Sequence, residues 1–203
     1  TDGVANRLFI ASLSADGDNL SQWRAYCRGG GYSIGFPKDK LCEEIEKHRF
    51  ALERCIYAPE DHHKIVLNLI EKHINPWIQT EKVSIISDTR KGQVFNDFAE
   101  DLLRSASFMK HQSFQIEQEF RIVSPVITDY ASYPRHFRAQ HGMIVPYTKI
   151  KLPEERDFWA EIHIIVGPSP HPHAAKASAY ALIRKYREMA SAVHITETPY
   201  RDW

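Results

Sequence analysis

At 203 residues and 23.5 kDa, the chain is long enough to bury a sizeable core without disulfide or metal staples. Its 43% hydrophobic and 26% charged content excludes a disordered or collagen-like polymer. Lys plus Arg and Asp plus Glu number 26 each, so there is no global positive field of the kind that draws proteins onto nucleic acid or anionic membranes.

No apolar run reaches the about 18 residues of a membrane span, and nothing at the start resembles a signal peptide. Cys27, Cys42 and Cys55 are an odd, sparse set, which argues against a secreted disulfide framework and for a cytoplasmic, reducing compartment. The chain opens at Thr1 without a methionine, on a polar stretch that runs straight into an apparent strand. The expectation is one domain over 1–203 that lacks an upstream segment.

In chain order, Leu8 to Leu13 reads as a strand ended by the loop Ser14 to Asp18. Asp18 or Asn19 then caps a short helix through Trp23 and Tyr26. Arg28-Gly29-Gly30-Gly31 turns into a strand from Tyr32 to Phe36, and Pro37 opens a charged helix to about Arg49. Arg54 to Ala58 is a further strand. Ile65, Leu69, Ile70, Ile74 and Trp77 share one face of a helix from Glu60 to Gln79, which Pro76 terminates or kinks. A second long helix runs from Gln93 to Lys110 with Val94, Phe98, Leu102, Ala106 and Met109 on its buried side. Strands at Glu117 to Ser124, Gly142 to Pro146 and Glu161 to Gly167 follow, with the segment 124–141 a loop. A helix from His173 to Met189 and a strand from Ala192 to Thr196 close the chain. Helices grouped between strands predict an α+β fold, a mixed and mostly antiparallel sheet packed by helices.

The chemistry concentrates in Glu117-Gln118-Glu119-Phe120-Arg121. On an extended strand Glu117, Glu119 and Arg121 share a face, a candidate site in which one carboxylate steadies a cationic sugar centre and the other positions an attacking group. An ordinary solvated face has the same pattern. Ser12 and Ser14, at a strand end, are placed to reach a ligand or to satisfy turn backbone. Arg28 beside three glycines suits an oxyanion, although the spacing is neither a P-loop nor a dinucleotide fingerprint. Trp23, Tyr26, Tyr32 and Phe36 could stack on a planar ring or fill a core. Gly167-Pro168-Ser169 ahead of a helix is an anion site or a capped turn. No metal site is expected: His62-His63 and His171-x-His173 lack the spacing that presents two imidazoles together on a helix.

Five blocks, in order, carry a resemblance: Ser12-x-Ser14; Asp18-x-Leu20-x-x-Trp23-x-x-Tyr26; Gly31-x-x-Ile34-Gly35-Phe36; Lys110-x-x-x-Phe114-x-x-Glu117-x-Glu119-x-Arg121; and Ile164-Ile165-x-Gly167-Pro168. They resemble the bacterial domain-of-unknown-function family numbered 2971, whose members usually carry an upstream segment with a His-Tyr-Thr or aromatic strand. More distantly, a Ser-x-Ser strand end followed by Glu-x-Glu resembles the ADP-ribosyltransferase superfamily. That second resemblance implies NAD as substrate, Glu119 as the catalytic carboxylate on the nicotinamide ribose and Glu117 as the residue that orients the acceptor. Ser12 or Ser14 would support the site, with Trp23, Tyr26, Arg28 and Arg121 as further nucleotide contacts. Arg7 stands too close to Ser12 to serve as the early-strand residue that holds NAD, which places that partner upstream. Two other readings stay open. One is a non-catalytic sensing or interaction domain; the other is a nucleic-acid-processing accessory domain resting on the basic runs Arg135 to Arg138 and Arg184 to Arg187, against which the neutral charge argues.

Overall fold

The computed structural model describes residues 8–81, 88–127, 136–140, 142–187 and 192–199. In chain order its regular elements are β1 (Ile10–Ser14), α1 (Leu20–Tyr26), β2 (Tyr32–Gly35), α2 (Lys38–Lys47), β3 (Ala51–Arg54), α3 (Pro59–Leu69), α4 (Asn75–Glu81) and α5 (Asp88–Ala106). Then come β4 (Glu119–Val123), β5 (His136–Gln140), β6 (Met143–Tyr147), α6 (Arg156–Ala160), β7 (His163–Val166), α7 (Pro172–Arg187) and β8 (Ala192–Ile195). The fold is α+β. The mixed, mostly antiparallel pairing predicted from the sequence is present, distributed over three small sheets with strand orders β1-β4-β3, β2-β7-β8 and β5-β6. Among the described residues no helix is long and apolar enough to cross a membrane.

The described residues group into two compact units. The first draws on Thr1–Leu13, Arg49–Gln115 and Glu119–Lys149, and the second on Ser14–His48, Ile116–Gln118 and Ile150–Trp203.

In the first unit β3 and β4 pair antiparallel, with Ala51 opposite Val123 and Glu53 opposite Arg121. Their inward side chains join Phe50, Tyr57, Leu69 and Phe108 in the core, where Val123 is fully buried. Pro59 opens α3 at its first turn, where a missing N–H costs nothing, and Glu60 and Asp61 complement the helix dipole there. Of the two outcomes expected at Pro76, termination or a kink, termination does not occur: a π-turn over Ile70–Ile74 precedes the proline and the helix continues to Glu81. Proline cannot donate to the carbonyl four residues back and crowds it; widening the turn just before Pro76 relieves both faults. The same turn is tied to α5, where Lys72 Nζ and His73 Nε2 donate to Asp101 Oδ2 at 2.6 and 2.8 Å. Those two hydrogen bonds hold the Asp101 carboxyl below its ordinary range.

In the second unit β7 is central, antiparallel to β2 and parallel to β8. Val166 and Val193 on its strands pack against Ala179 of α7. Trp23, Leu41, Ile45 and Phe158 are buried in this unit as well, and the Phe36 and Phe158 rings stack at 6.4 Å. Asn19 is the cap of α1: its Oδ1 accepts the Ser21 N–H at 2.9 Å, while its Nδ2 donates to the Ile116 carbonyl at 2.9 Å.

Several element boundaries differ from the sequence expectation. β3 precedes the expected 54–58 strand because Cys55 and Ile56 instead donate their N–H groups to Glu119 and Phe108 outside the ladder. The segment read as a loop contains β5, which pairs with β6 through Phe137–Pro146 and Arg138–Val145. α6 has no counterpart among the expected elements, because five residues carry too little periodicity to mark a helix. α5 begins earlier and ends at Ala106, short of the expected Lys110, and Ala106 itself is exposed.

Candidate functional site

β4 does not begin where alternation predicts. Glu117 closes a 3-10 turn over Gln112–Glu117, and Gln118 sits at φ 44°, in the left-handed region where no extended strand can run. Glu117 and Glu119 therefore do not share a strand face, and the expected carboxylate pair is corrected to one carboxylate with one guanidinium, Glu119 and Arg121. Glu117 also falls in the other compact unit. A Gln118→Gly substitution would relieve the left-handed strain and is expected to raise stability by up to about 1 kcal/mol in thermal unfolding.

Glu119 is 5% exposed. Its Oε1 accepts the Ser12 hydroxyl at 2.5 Å and Arg121 Nε at 2.8 Å. Its Oε2 accepts Lys110 Nζ at 2.5 Å and, more weakly, Arg121 Nη2 at 3.4 Å. The backbone is held too: the Glu119 N–H donates to the Tyr57 hydroxyl at 2.8 Å, and its carbonyl accepts the Cys55 N–H at 2.8 Å. Arg121 Nη1 completes the cluster by donating to the Ser107 carbonyl at 2.6 Å. All these residues lie in the first unit, on β1, on β4 and in the segments that follow β3 and α5.

Burial works against the Glu119 charge, but hydrogen bonds from Arg121, Lys110 and Ser12 and the Arg121 charge outweigh it and hold the carboxyl at about 2, against an ordinary 4.5. At neutral pH this group is a permanent anion, able to stabilise positive charge and unable to deliver a proton. Burial first, and then the Glu119 charge, push the Cys55 thiol up, so it stays protonated and unreactive.

The depressed carboxyl has a consequence for stability. As pH falls the unfolded chain protonates Glu119 near 4.5 while the native state resists until about 2. The contribution is complete above the unfolded value and is lost as pH drops through that window, on the order of 3 kcal/mol in all. Urea unfolding between about pH 5 and pH 2 is expected to show this slope, flattened in Glu119→Gln.

The remaining candidates stand elsewhere. Ser14 belongs to the second unit, where its hydroxyl donates to the backbone carbonyl of Glu117 at 2.9 Å. Trp23 is 5% exposed, its Nε1 donating to Asp18 Oδ1 at 2.7 Å, so its ring is core and offers no stacking face. Tyr26 is 76% exposed, and Arg28 is exposed ahead of Gly29 and Gly30 at φ 84° and 119°. Arg7 and Arg135 lie outside the described residues.

Lys110 and Tyr57 are neighbours of Glu119 to which the sequence pattern assigns no role. Lys110 stands in the same sequence block as Glu119, at a spacing that a turn has to fold back; Tyr57 carries no signal, because only the chain path after β3 brings it to Glu119. Both line an open pocket of about 580 Å³.

Residues 22–122 match the family model DUF2971, described as a protein of unknown function. The DUF2971 match takes in Lys110, Glu119 and Arg121, and it stops short of Ser12 on one side and β5 on the other. No curated protein and no solved structure matches the chain.

Proposed function

We propose that the first unit acts on NAD, breaking the nicotinamide glycosidic bond and passing ADP-ribose to water or to another nucleophile. The electron pair of the C–N bond leaves with nicotinamide, and the ribose cation is captured by the nucleophile, which loses its proton. Glu119 is the fixed anion facing that cation, and Ser12 is its positioning residue. The observation that carries this reading is the Ser12 hydroxyl on Glu119 Oε1 at 2.5 Å: a serine in the middle of β1 orients a buried, ionised carboxylate. An ionised group held rigidly is what an oxocarbenium-like centre needs, and no acid catalysis is asked of it. The weakest of its four contacts, Arg121 Nη2 at 3.4 Å, marks the lone pair on Oε2 that a ribose hydroxyl would take.

Nicotinamide release from NAD, measured on the folded chain, tests this. Glu119→Gln is expected to lose at least about a hundredfold, and Ser12→Ala, on an exposed strand position, about tenfold. Equal rates would remove Glu119 from the chemistry, and no release from the wild type under any condition would discard ribosyl transfer.

One observation favours a non-catalytic recognition domain instead. The four donors on Glu119 match the roughly four lone-pair sites of a carboxylate, as a purely structural ion cluster would. In that case Glu119→Gln costs stability while NAD stays intact.

A further inference from the structure

Where α5 gives way to the 3-10 turn over Gln112–Glu117, the open pocket of about 580 Å³ has walls from that junction, from Tyr57 and from the start of α3. The polar side chains on these walls, those of Tyr57, His62, Lys110, His111, Gln112 and Ser113, can each donate a hydrogen bond, and no carboxylate is among the lining residues. Lys110 brings its ammonium, seated between Glu119 and the Phe114 ring at 5.0 Å from the ring centre. His111 Nδ1 accepts the Ser113 N–H at 3.2 Å, which in the neutral ring puts the proton on Nε2 and makes that atom a donor. Ser113 adds its hydroxyl. Tyr57 is 8% exposed, and its oxygen accepts the Glu119 N–H. Its own proton is not used in that bond and meets no acceptor among the described residues. A buried hydroxyl on a pocket wall with a proton to give is a group made for an acceptor from outside. His62 is fixed differently: its Nε2 donates to the Ile56 carbonyl at 2.6 Å, so it shapes the wall rather than competing for the ligand.

We infer that this pocket binds the phosphate group of a small molecule. A phosphate dianion carries more acceptor sites and one more negative charge than a carboxylate, so it can take the Tyr57 and Ser113 hydroxyls, His111 Nε2–H and the Lys110 ammonium together with sites to spare. The inference rests on these pocket residues alone and needs no ribosyl chemistry: the pocket can hold phosphate in a chain that never releases nicotinamide.

Calorimetric titration with inorganic phosphate, ADP, adenosine and acetate separates the outcomes. Saturable binding of phosphate and ADP is expected, with adenosine and acetate at least about tenfold weaker. His111→Ala and Ser113→Ala, both at exposed positions, are each expected to weaken ADP several-fold, and Tyr57→Phe about tenfold, with circular dichroism confirming that the last still folds. Lys151→Ala, an exposed cation of the other unit, should change nothing. Adenosine binding as tightly as ADP, acetate competing as well as phosphate, pocket variants without effect, or no saturable binding of phosphate and ADP would each overturn the proposal.

Discussion

Replacing Glu119 by Gln is expected to destabilise the protein by about 3–5 kcal/mol at neutral pH, the cost of breaking a buried ion cluster from one side. The cluster has one carboxylate between Lys110 and Arg121, with side-chain exposures of 6%, 17% and 18%. Removing the anion strands both cations where water reaches them poorly, and Gln can offer only one oxygen to donors that now occupy two. Lys110→Met should cost less, because Arg121 and Ser12 still satisfy the carboxylate. Arg121→Met should approach the Glu119 value, because it also leaves the Ser107 carbonyl without its donor at 2.6 Å. Urea unfolding of the three variants gives the ranking directly. A loss below about 1 kcal/mol for Glu119→Gln would mean that the cluster behaves as an ordinary solvated pair. The same measurement guards the activity experiment: a variant that has lost nicotinamide release but kept its folded population has lost chemistry, not structure.

The second large effect lies in the other unit. Trp23→Ala is expected to cost about 3–5 kcal/mol, since it deletes a buried indole and takes away the hydrogen bond to Asp18. Asp18 is a hub, accepting also from the Thr196 hydroxyl and from the Glu197 N–H at 3.2 Å, so its loss of one donor reaches the end of β8. Trp23 lies against Gly167, where an added Cβ would stand 2.8 Å from indole Cε3 and Cζ3. Gly167→Ala alone should therefore cost about 1–3 kcal/mol through overpacking. In a Trp23→Leu background the clash disappears and the penalty of Gly167→Ala should largely vanish, a coupling that thermal unfolding of the four proteins reads out. Simple additivity would show that the backbone shifts to make room and that the close approach carries no energy.

This pair of residues shows how far sequence reading could go. Trp23 and Gly167 are both in blocks that stood out by residue type, yet their meaning, an indole against a bare Cα, exists only once β7 and α1 have packed. The stacking role that the spacing of Trp23, Tyr26 and Tyr32 suggested fails for Trp23 because burial is a property of the fold and not of the interval between aromatics. Glu119 illustrates the converse. Its pairing with Arg121 was legible, because residues two apart on a strand share a face whatever the surroundings. The place of Glu117 was not, because the left-handed Gln118 between the two carboxylates obeys the turn before it rather than the alternation after it.

Periodicity and punctuation determined the α+β class, a short helix capped by Asp18 or Asn19, the long helices and most strands, since these depend on local propensity and on which face must meet a core. The tertiary structure alone decided that the strands divide among three sheets and that Pro76 is absorbed by a π-turn. It alone decided that Ser12, Lys110 and Arg121 converge on one carboxylate while Tyr57 accepts the backbone N–H of the same residue. Convergence of this kind joins residues up to 107 positions apart in the chain, and its strength comes from burial and from the donors that close around Glu119, neither of which any local stretch of sequence encodes.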